Sequence, residues 1–142
     1  MGSFFSTLLN PGAAAAAEEE GSAVVAVHSK ESWNEHWTAH KNTNKLLVID
    51  FSATWCGPCR FIEPTFKALA AKFTEASFVK IDVDELSICL LIEIHEVDQE
   101  VSQQWKVQAM PTFVLVKGGK EVARIVGAKE AELQGKVAQF IA

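Results

Sequence analysis

The chain has 142 residues, 49% of them hydrophobic, and a formal net charge of −5. This length suits a single domain, and the hydrophobic content suffices for a core without disulfide staples or structural metal. An acidic chain with no basic stretch argues against nucleic-acid binding, and three cysteines are not the even framework of a small secreted scaffold.

Residues 1–22 differ in composition from the rest of the chain. They contain five consecutive alanines, three consecutive glutamates and too few apolar side chains to bury a core of their own. We therefore expect a disordered N-terminal extension over 1–22 and a folded domain over 23–142.

The domain is predicted to begin with a short strand, Val24–Val27, followed by a helix. Ser32 and Glu35 match a capping box, so the helix is expected to begin at Ser32. Trp33 and Trp37 are four residues apart, which places both side chains on one face of that helix.

The next strand is expected over Leu46–Ala53, an almost continuous apolar run that is typical of a central strand buried on both faces. A helix should follow, with a kink at Pro64. Its apolar residues recur at helical spacing, at Ile62, Phe66, Leu69, Ala70 and Phe73.

The second half of the chain contains three more predicted strands, Phe78–Val83, Thr112–Lys117 and Glu121–Val126. Gly118-Gly119 between the last two is a strong hairpin signal. A last helix carries an apolar stripe at Leu133, Val137 and Phe140 or Ile141. Early strands that alternate with helices should pair in parallel, and the hairpin should close the sheet antiparallel in a three-layer sandwich.

Two cysteines separated by two residues follow the central strand directly. Because the thiolate is the attacking species and a helix N-terminus stabilises negative charge, Cys56 at the strand-to-helix junction is the candidate nucleophile. Pro58 suits the first helical turn, since the N–H that it lacks is not needed there. Cys59 should point back from that turn, so we expect Cys56 to be exposed and Cys59 to be the recessed resolving thiol of a Cys56–Cys59 disulfide.

The same cysteine spacing also occurs in zinc sites, where the pair would supply half of the ligands. A second pair at suitable spacing is missing from the remaining candidates, which are Cys89, His28, His36, His40 and His95. We therefore predict redox chemistry at this pair and no bound metal.

A carboxylate lies inside the apolar run of the central strand, six residues before Cys56. Burying Asp50 is costly unless the group is used or neutralised, so it is a candidate to take the proton from Cys59. The alternative is a strand-end aspartate that faces solvent.

Met110-Pro111 directly precedes a predicted strand, a position where proline is merely tolerated. In a redox fold, a cis bond between these residues would expose backbone polar groups to an incoming substrate strand. The sequence leaves the choice between cis and trans open.

Four motifs occur together along the chain: Val48-Ile49-Asp50-Phe51-Ser52-Ala53-Thr54-Trp55-Cys56-Gly57-Pro58-Cys59-Arg60, Phe78–Asp84, Ala109-Met110-Pro111-Thr112-Phe113 and Val126-Gly127-Ala128. On these motifs the chain resembles a thioredoxin over roughly residues 23–142. The early tryptophan helix and the N-terminal extension are similar to the plant h-type branch. The resemblance implies a thioredoxin-like three-layer α/β/α sandwich, with a central mixed sheet of about five strands and about four flanking helices.

The resemblance also implies an activity, a dithiol–disulfide reductase that holds no bound cofactor. Such a protein reduces disulfides in target proteins and is recharged by an NADPH-dependent thioredoxin reductase. On this resemblance Cys56 is the nucleophile, Cys59 the resolving thiol, Asp50 the buried acid/base and Pro111 a cis-proline, while Lys80 matches a lysine close to the buried aspartate. The matches that would line an apolar docking groove, together with Pro111, are Trp55, Gly57, Pro58, Met110, Gly127 and Ala128.

The segment 87–100 departs from the family pattern, in which a helix holding Trp105 follows the third strand within a few residues. About a dozen additional residues intervene here, and they form either a longer helix, which we favour, or a surface excursion with an apolar patch. A retained intron or a faulty gene model would be a third explanation. Cys89 in this segment is expected to be a small apolar residue rather than a regulatory or dimer-forming thiol.

The first six residues fit the N-myristoylation pattern, with Gly2 as the acceptor. One acyl chain binds membranes weakly and reversibly, and no neighbouring cysteine or basic cluster supplies a second anchor. The chain shows no secretory signal, no transit peptide and no apolar run near the ~18 residues of a membrane span. We expect a mostly monomeric cytoplasmic protein that is partly membrane-associated if Gly2 is acylated.

The leading hypothesis is therefore a protein disulfide reductase, with two alternatives. A non-catalytic binding module would hold partners in the groove under redox control, and only the segment 87–100 favours it. An oxidant or isomerase is disfavoured by the Gly-Pro dipeptide between the cysteines and by the lack of a secretory signal.

Overall fold

A computed structural model of the chain describes residues 23–85 and 105–141. Five strands form one sheet: β1 (Val24–Val27), β2 (Leu47–Ser52), β3 (Ser77–Asp82), β4 (Thr112–Lys117) and β5 (Lys120–Val126). Their order is β1-β3-β2-β4-β5. β3 pairs in parallel with β1 and β2, whereas β4 pairs antiparallel with β2 and β5. The expected mixed sheet is confirmed.

Helices cover both faces of this sheet. The helices that lie wholly within the described ranges are α1 (Lys30–His40), α2 (Gly57–Lys72) and α3 (Glu130–Phe140). α1 packs on one face, where Trp33 joins a buried cluster with Phe51. α2 and α3 pack on the other face, where Phe66 and Leu133 join a second cluster. The three-layer sandwich is confirmed.

All six residues of the central strand β2 are buried, as the apolar run predicts. Leu47, Ile49 and Phe51 belong to the cluster beneath α1, and Val48 belongs to the cluster beneath α2 and α3. Because side chains alternate along a strand, Asp50 points to the same side as Val48. This alternation directs the carboxyl group of β2 towards α2.

The first helix begins one turn earlier than the capping-box prediction. Ser29 is the N-cap residue, and its hydroxyl oxygen accepts a hydrogen bond of 3.1 Å from the N–H of Ser32. Ser32 therefore lies inside the first turn, and its prediction as the start was wrong because an earlier serine satisfies the free N–H groups. The predicted tryptophan face is confirmed, since Trp33 and Trp37 stack with ring centroids 6.0 Å apart.

α2 continues on both sides of Pro64, so this proline does not end the helix. The kink itself stays a prediction. Four residues of the predicted apolar stripe are buried, whereas Phe73 is the C-cap residue and only partly buried. The four are Ile62, Phe66, Leu69 and Ala70.

Gly118 and Gly119 connect β4 to β5 with φ angles of +61° and +75°. Both values lie in the left-handed region that a two-residue hairpin turn requires, so the predicted hairpin is confirmed. β5 begins at Lys120, one residue earlier than predicted.

Residues 86–104, between β3 and β4, lie outside the described ranges, and they include the segment 87–100 with Cys89. The expected extension 1–22 also lies outside them. Trp105, which was expected on a helix, lies in a turn. Its carbonyl oxygen accepts a hydrogen bond of 2.6 Å from Arg124, and its indole packs edge-on against Trp37 at 5.4 Å. These two tertiary contacts hold Trp105 in the turn, so its predicted place on a helix was wrong. In the described ranges, no helix combines the length and apolar character needed to cross a bilayer.

Candidate active site

The two cysteines lie where the central strand passes into a helix. β2 ends at Ser52, and Cys56 is the N-cap residue of α2, with Cys59 in the first helical turn. The two sulfur atoms are joined in a disulfide, with the Cα atoms 5.3 Å apart. The junction predicted from the sequence therefore holds the oxidised form of a dithiol pair.

The environment of Cys56 favours a negative charge on its sulfur in the reduced state. Its sulfur accepts a hydrogen bond of 3.2 Å from the N–H of Cys59, one of the free donors at the helix N-terminus. The helix dipole adds partial positive charge at the same place. Both effects stabilise a thiolate on Cys56 and lower the free-energy cost of its ionisation.

The expected contrast in exposure between the two cysteines is not seen in this oxidised state. Cys56 is 5% exposed and Cys59 is 6% exposed. Ala53 lies beside them in the same small buried cluster, and the partly buried side chain of Met110 packs against it. What distinguishes the two residues is position, because Cys56 caps the helix and Cys59 lies inside it.

Asp50 is buried beneath this junction, with an exposed fraction of 1%. Burial raises the pKa of Asp50 to about 7, Lys80 opposes that rise, and Glu63 adds to it. Among the described residues, Asp50 Oδ1 has no hydrogen-bond partner. The alternative of a solvent-facing strand-end aspartate is therefore wrong.

Lys80 lies directly beside Asp50 in the sheet, since the two residues are register partners on β3 and β2. Its ammonium donates a hydrogen bond of 2.9 Å to Glu63 Oε1 on α2. A cavity of about 300 Å³ opens between these groups and the active-site turn. Its lining includes Cys59, Glu63 and Lys80, so the cavity connects the second cysteine of the disulfide with the charged pair.

The tryptophan before the first cysteine is a large exposed apolar group beside the disulfide. Trp55 is 65% exposed, and its indole N–H donates a hydrogen bond of 2.6 Å to Asp84 Oδ2. Gly57 and Pro58 are also exposed beside it. Trp55 can therefore contact a docked polypeptide while its indole nitrogen stays fixed.

A second segment approaches the disulfide from the start of β4. The Met110–Pro111 peptide bond is cis, and Cys56 Sγ lies 3.7 Å from the carbonyl oxygen of Met110. Gly127, with φ +98°, donates its N–H to the carbonyl oxygen of Pro111 at 2.8 Å, and Ala128 follows it. The structure thus brings the Met110–Pro111 segment to the sulfur and ties the Gly127 turn to that segment.

Three side chains of this region were not singled out by the sequence. Glu63 follows Cys59 by four residues on α2, and that helical spacing could have identified it. Asp84 ends the motif Phe78–Asp84, but no local pattern indicates its contact with Trp55, which joins residues 29 positions apart. Arg60 donates two hydrogen bonds, of 3.1 and 2.8 Å, to the carbonyl oxygen of Thr54 and braces the turn.

A zinc site would need further ligands close to the cysteine pair. In the part of the chain that the structure describes, no three side chains of histidine, cysteine, aspartate or glutamate converge as metal ligands would. The sulfur atoms of Cys56 and Cys59 bond to each other.

The chain is similar to known proteins over almost its whole length. The family model described as Thioredoxin matches residues 24–139. The chain is 62% identical to "Thioredoxin H2-2" of Oryza sativa subsp. japonica over 143 aligned residues, covering 99% of this chain and 96% of that protein. It is 48% identical to "Thioredoxin H2" of Arabidopsis thaliana, covering 99% and 98%. The crystal structure of the thioredoxin NaTrxh from Nicotiana alata superimposes with a TM-score of 0.76 at 48% identity, covering 89% of this chain and 99% of that one.

Proposed function

The chain belongs to the thioredoxin family, and we propose that Cys56 is its nucleophile and Cys59 its resolving thiol. The protein is a thiol–disulfide oxidoreductase that reduces disulfides in target proteins. The observation that supports the assignment of roles is the disulfide at the N-terminus of α2, with the Cys56 sulfur at the helix cap.

The reaction proceeds in two exchanges between thiolate and disulfide. The Cys56 thiolate attacks one sulfur of the target disulfide, a mixed disulfide forms, and the first target sulfur leaves as a thiolate. Cys59 then loses its proton and attacks Cys56 Sγ, which breaks the mixed disulfide and releases the second target sulfur. The target gains two electrons, and the Cys56–Cys59 disulfide carries the corresponding oxidation.

Asp50 serves as acid and base for the second exchange. Because burial raises its pKa to about 7, the carboxyl group can both accept and return a proton near neutral pH. It accepts the Cys59 proton before that thiolate attacks, and it returns a proton for the departing target thiolate. The cavity lined by Cys59 and Lys80 extends from the sulfur to the register partner of Asp50, so the proton has a short distance to cross to the buried carboxyl group.

The docking groove for target proteins lies around the disulfide. Its members are Trp55, Gly57, Pro58, Met110, Pro111, Gly127 and Ala128. The exposed indole of Trp55 supplies apolar contact area, and the Met110 carbonyl beside Cys56 Sγ supports an extended target strand next to the nucleophile.

We infer the electron donor and the cellular location from the resemblance to h-type thioredoxins. An NADPH-dependent thioredoxin reductase would return two electrons to the disulfide, and the chain itself needs no bound cofactor. We place the protein in the cytosol, mostly as a monomer, with weak membrane association if Gly2 is myristoylated. Residues 23–142 form the thioredoxin domain, and 1–22 form an extension.

Reduction of insulin by dithiothreitol, followed as turbidity, tests the assignment of the cysteines. The wild-type chain should accelerate precipitation, Cys56→Ser should abolish the effect, and Cys59→Ser should accumulate a mixed disulfide with insulin. Cys89→Ser is the matched control and should keep wild-type activity, because Cys89 takes no part in the exchange. Activity that survives Cys56→Ser would rule out the mechanism.

Electron delivery needs a separate test. The oxidised chain should support NADPH consumption by a plant thioredoxin reductase, with insulin as the final acceptor. A second outcome is that the chain reduces insulin with dithiothreitol but accepts no electrons from the reductase. That result would leave the exchange mechanism intact and rule out the reductase as its electron donor.

A further inference from the structure

The lysine beside the buried aspartate is engaged by a different carboxylate. Lys80 is the register partner of Asp50 on the neighbouring parallel strand. Its ammonium nevertheless donates to Glu63 Oε1 at 2.9 Å, and Asp50 Oδ1 has no hydrogen-bond partner among the described residues. The lysine and glutamate side chains are 32% and 28% exposed, so solvent screens this pair only partly.

Helical spacing places Glu63 where it can act on both groups. It follows Cys59 by four residues, so both side chains lie on one face of α2. Both also line the cavity of about 300 Å³ that Lys80 borders from β3. Glu63 therefore borders the same cavity as the resolving thiol and bonds to the lysine that would otherwise neutralise Asp50.

We propose that Glu63 is a positioning residue for the resolving step, which holds the Lys80 ammonium at the cavity and away from Asp50 Oδ1. The proposal rests on the acid–base role of Asp50 in the proposed function. With the lysine held by Glu63, the Asp50 carboxyl group stays free to take the Cys59 proton. Without Glu63, Lys80 would pair with the ionised Asp50 and make it a poorer proton acceptor.

The charges that face Asp50 come from two elements. α2 contributes Glu63, and Lys67 lies 3.7 Å from the same Glu63 oxygen. β3 contributes Lys80, and Asp82 and Arg60 complete the charged lining of the cavity. On the β4 side the register partner of Asp50 is Phe113, which carries no charge.

The direction of each electrostatic effect agrees with this arrangement. After burial, the largest influence on Asp50 is Lys80, which lowers its pKa, followed by Glu63, which raises it. The hydrogen bond from Lys80 is the main reason that the pKa of Glu63 lies below its ordinary value. Glu63 is therefore ionised at neutral pH and can hold the ammonium.

The resolving step requires Asp50 to accept a proton and then to give one up. The Cys59 proton moves to the Asp50 carboxylate, the Cys59 thiolate attacks Cys56 Sγ, and the bond between Cys56 and the target sulfur breaks. The target sulfur leaves with the electron pair and gains a proton from the Asp50 carboxyl group. Glu63 and Lys80 exchange no proton or electron in this step.

The titration of the Asp50 carboxyl carbon by NMR, in the oxidised full-length chain, tests the proposal without turnover. In Glu63→Gln, the midpoint of that titration should fall by about 1 pH unit, since one negative charge is lost and Lys80 is released towards Asp50. Glu132→Gln is the matched control, because Glu132 pairs with Lys129 at 3.9 Å on an exposed surface. An unchanged or raised midpoint in Glu63→Gln would overturn the proposal.

A double-mutant cycle separates positioning from simple charge. In a Lys80→Met background, Glu63→Gln should lower the Asp50 midpoint by less than half as much as in wild type, because the lysine that Glu63 positions is gone. An equal fall in both backgrounds would mean that Glu63 acts by its charge alone, and the positioning role would be lost.

The resolving rate connects the titration to the reaction. The rate at which a preformed mixed disulfide on Cys56 is released should rise with pH, and its midpoint should shift downward in Glu63→Gln together with the Asp50 titration. A wild-type rate and pH profile in Asp50→Asn would remove the acid–base role and with it this proposal. Loss of the rate in Asp50→Asn, with an unmoved profile in Glu63→Gln, would overturn the positioning role alone.

Discussion

A buried carboxyl group in the central strand links the chemistry of this protein to its stability. Asp50 is 1% exposed, and its Oδ1 has no hydrogen-bond partner among the described residues. Ionising such a group in a low-dielectric interior is costly, which is why burial dominates the rise of its pKa to about 7. A group that is tuned for proton transfer near neutral pH therefore destabilises the fold when it is charged.

The pH dependence of stability should carry the signature of Asp50. Its pKa is about 7 in the folded chain against an ordinary value of 3.8. The folded state therefore binds the Asp50 proton more tightly than the unfolded state does. The contribution of this proton to the stability of the fold is complete below pH 3.8 and is lost as the pH rises through about 7. Asp50→Asn removes this loss. The free energy of unfolding of the variant, relative to that of wild type, should therefore rise by up to roughly 4 kcal/mol between about pH 4 and pH 8.

Urea unfolding of the oxidised wild type and of Asp50→Asn across this pH range measures the difference. Groups that titrate elsewhere cancel in the comparison, because both chains contain them. Two stability curves that run parallel from acid to alkaline pH would contradict the raised pKa of Asp50.

At the scale of the elements, the hairpin between β4 and β5 is coupled to the loop after α1. The N–H of Gly118 donates to the carbonyl oxygen of Thr43 at 3.0 Å. A Cβ atom on Gly119 would lie only 2.5 Å from the carbonyl oxygen of Lys41, whereas one on Gly118 would lie 3.8 Å from Asn44 Oδ1. The two glycines therefore share a positive φ but differ in the space around them.

Alanine at the two glycines should separate backbone strain from steric overlap. Gly118→Ala adds a side chain at positive φ and should lower the free energy of unfolding by about 1 kcal/mol. Gly119→Ala adds the same strain and an overlap with backbone, so its cost should reach about 3 kcal/mol. Urea unfolding checks both values, and equal costs for the two variants would contradict the close approach to Lys41.

At the scale of the whole molecule, one sheet separates two apolar cores. The rings of Phe66, Phe78 and Phe113 meet at 5.4 and 5.6 Å in the core beneath α2 and α3. Trp33 and Phe51 belong to the core beneath α1. β1 is one of the two edge strands of this sheet, and its residues Val24 and Val27 each enter a different core. β1 is therefore part of the folded sheet and contributes to both cores.

Two truncations should show where the required part of the chain begins. A chain without residues 1–22 should keep the insulin-reduction activity and unfolding free energy of the full chain. A chain without residues 1–27 also loses β1 and two buried valines, which should lower the unfolding free energy by about 3 kcal/mol or more. Denaturant unfolding and the turbidity assay measure both effects. A loss of stability or activity with the shorter deletion would contradict a domain that starts at residue 23.

The strands of the sheet were well predicted because the patterns that indicate them lie within short stretches of the chain. The apolar run of β2 and the Gly118-Gly119 turn each lie within a few consecutive residues, and both matched the structure closely. The start of α1 was misplaced by three residues, since Ser29 and Ser32 are both acceptable caps by sequence. Trp105 was misassigned because contacts with Trp37 and Arg124, distant in sequence, determine its conformation.

The sequence alone determined the cysteine pair, its place between a strand and a helix, and the presence of an acidic residue in the strand beneath it. Those features depend on residue type and short spacing. Only the tertiary structure decided that Lys80 bonds to Glu63 while Asp50 Oδ1 has no hydrogen-bond partner within the described part of the chain, and that the Met110 carbonyl reaches Cys56. These contacts join residues 17 and 54 positions apart, so they exist only after the sheet has brought separate elements together.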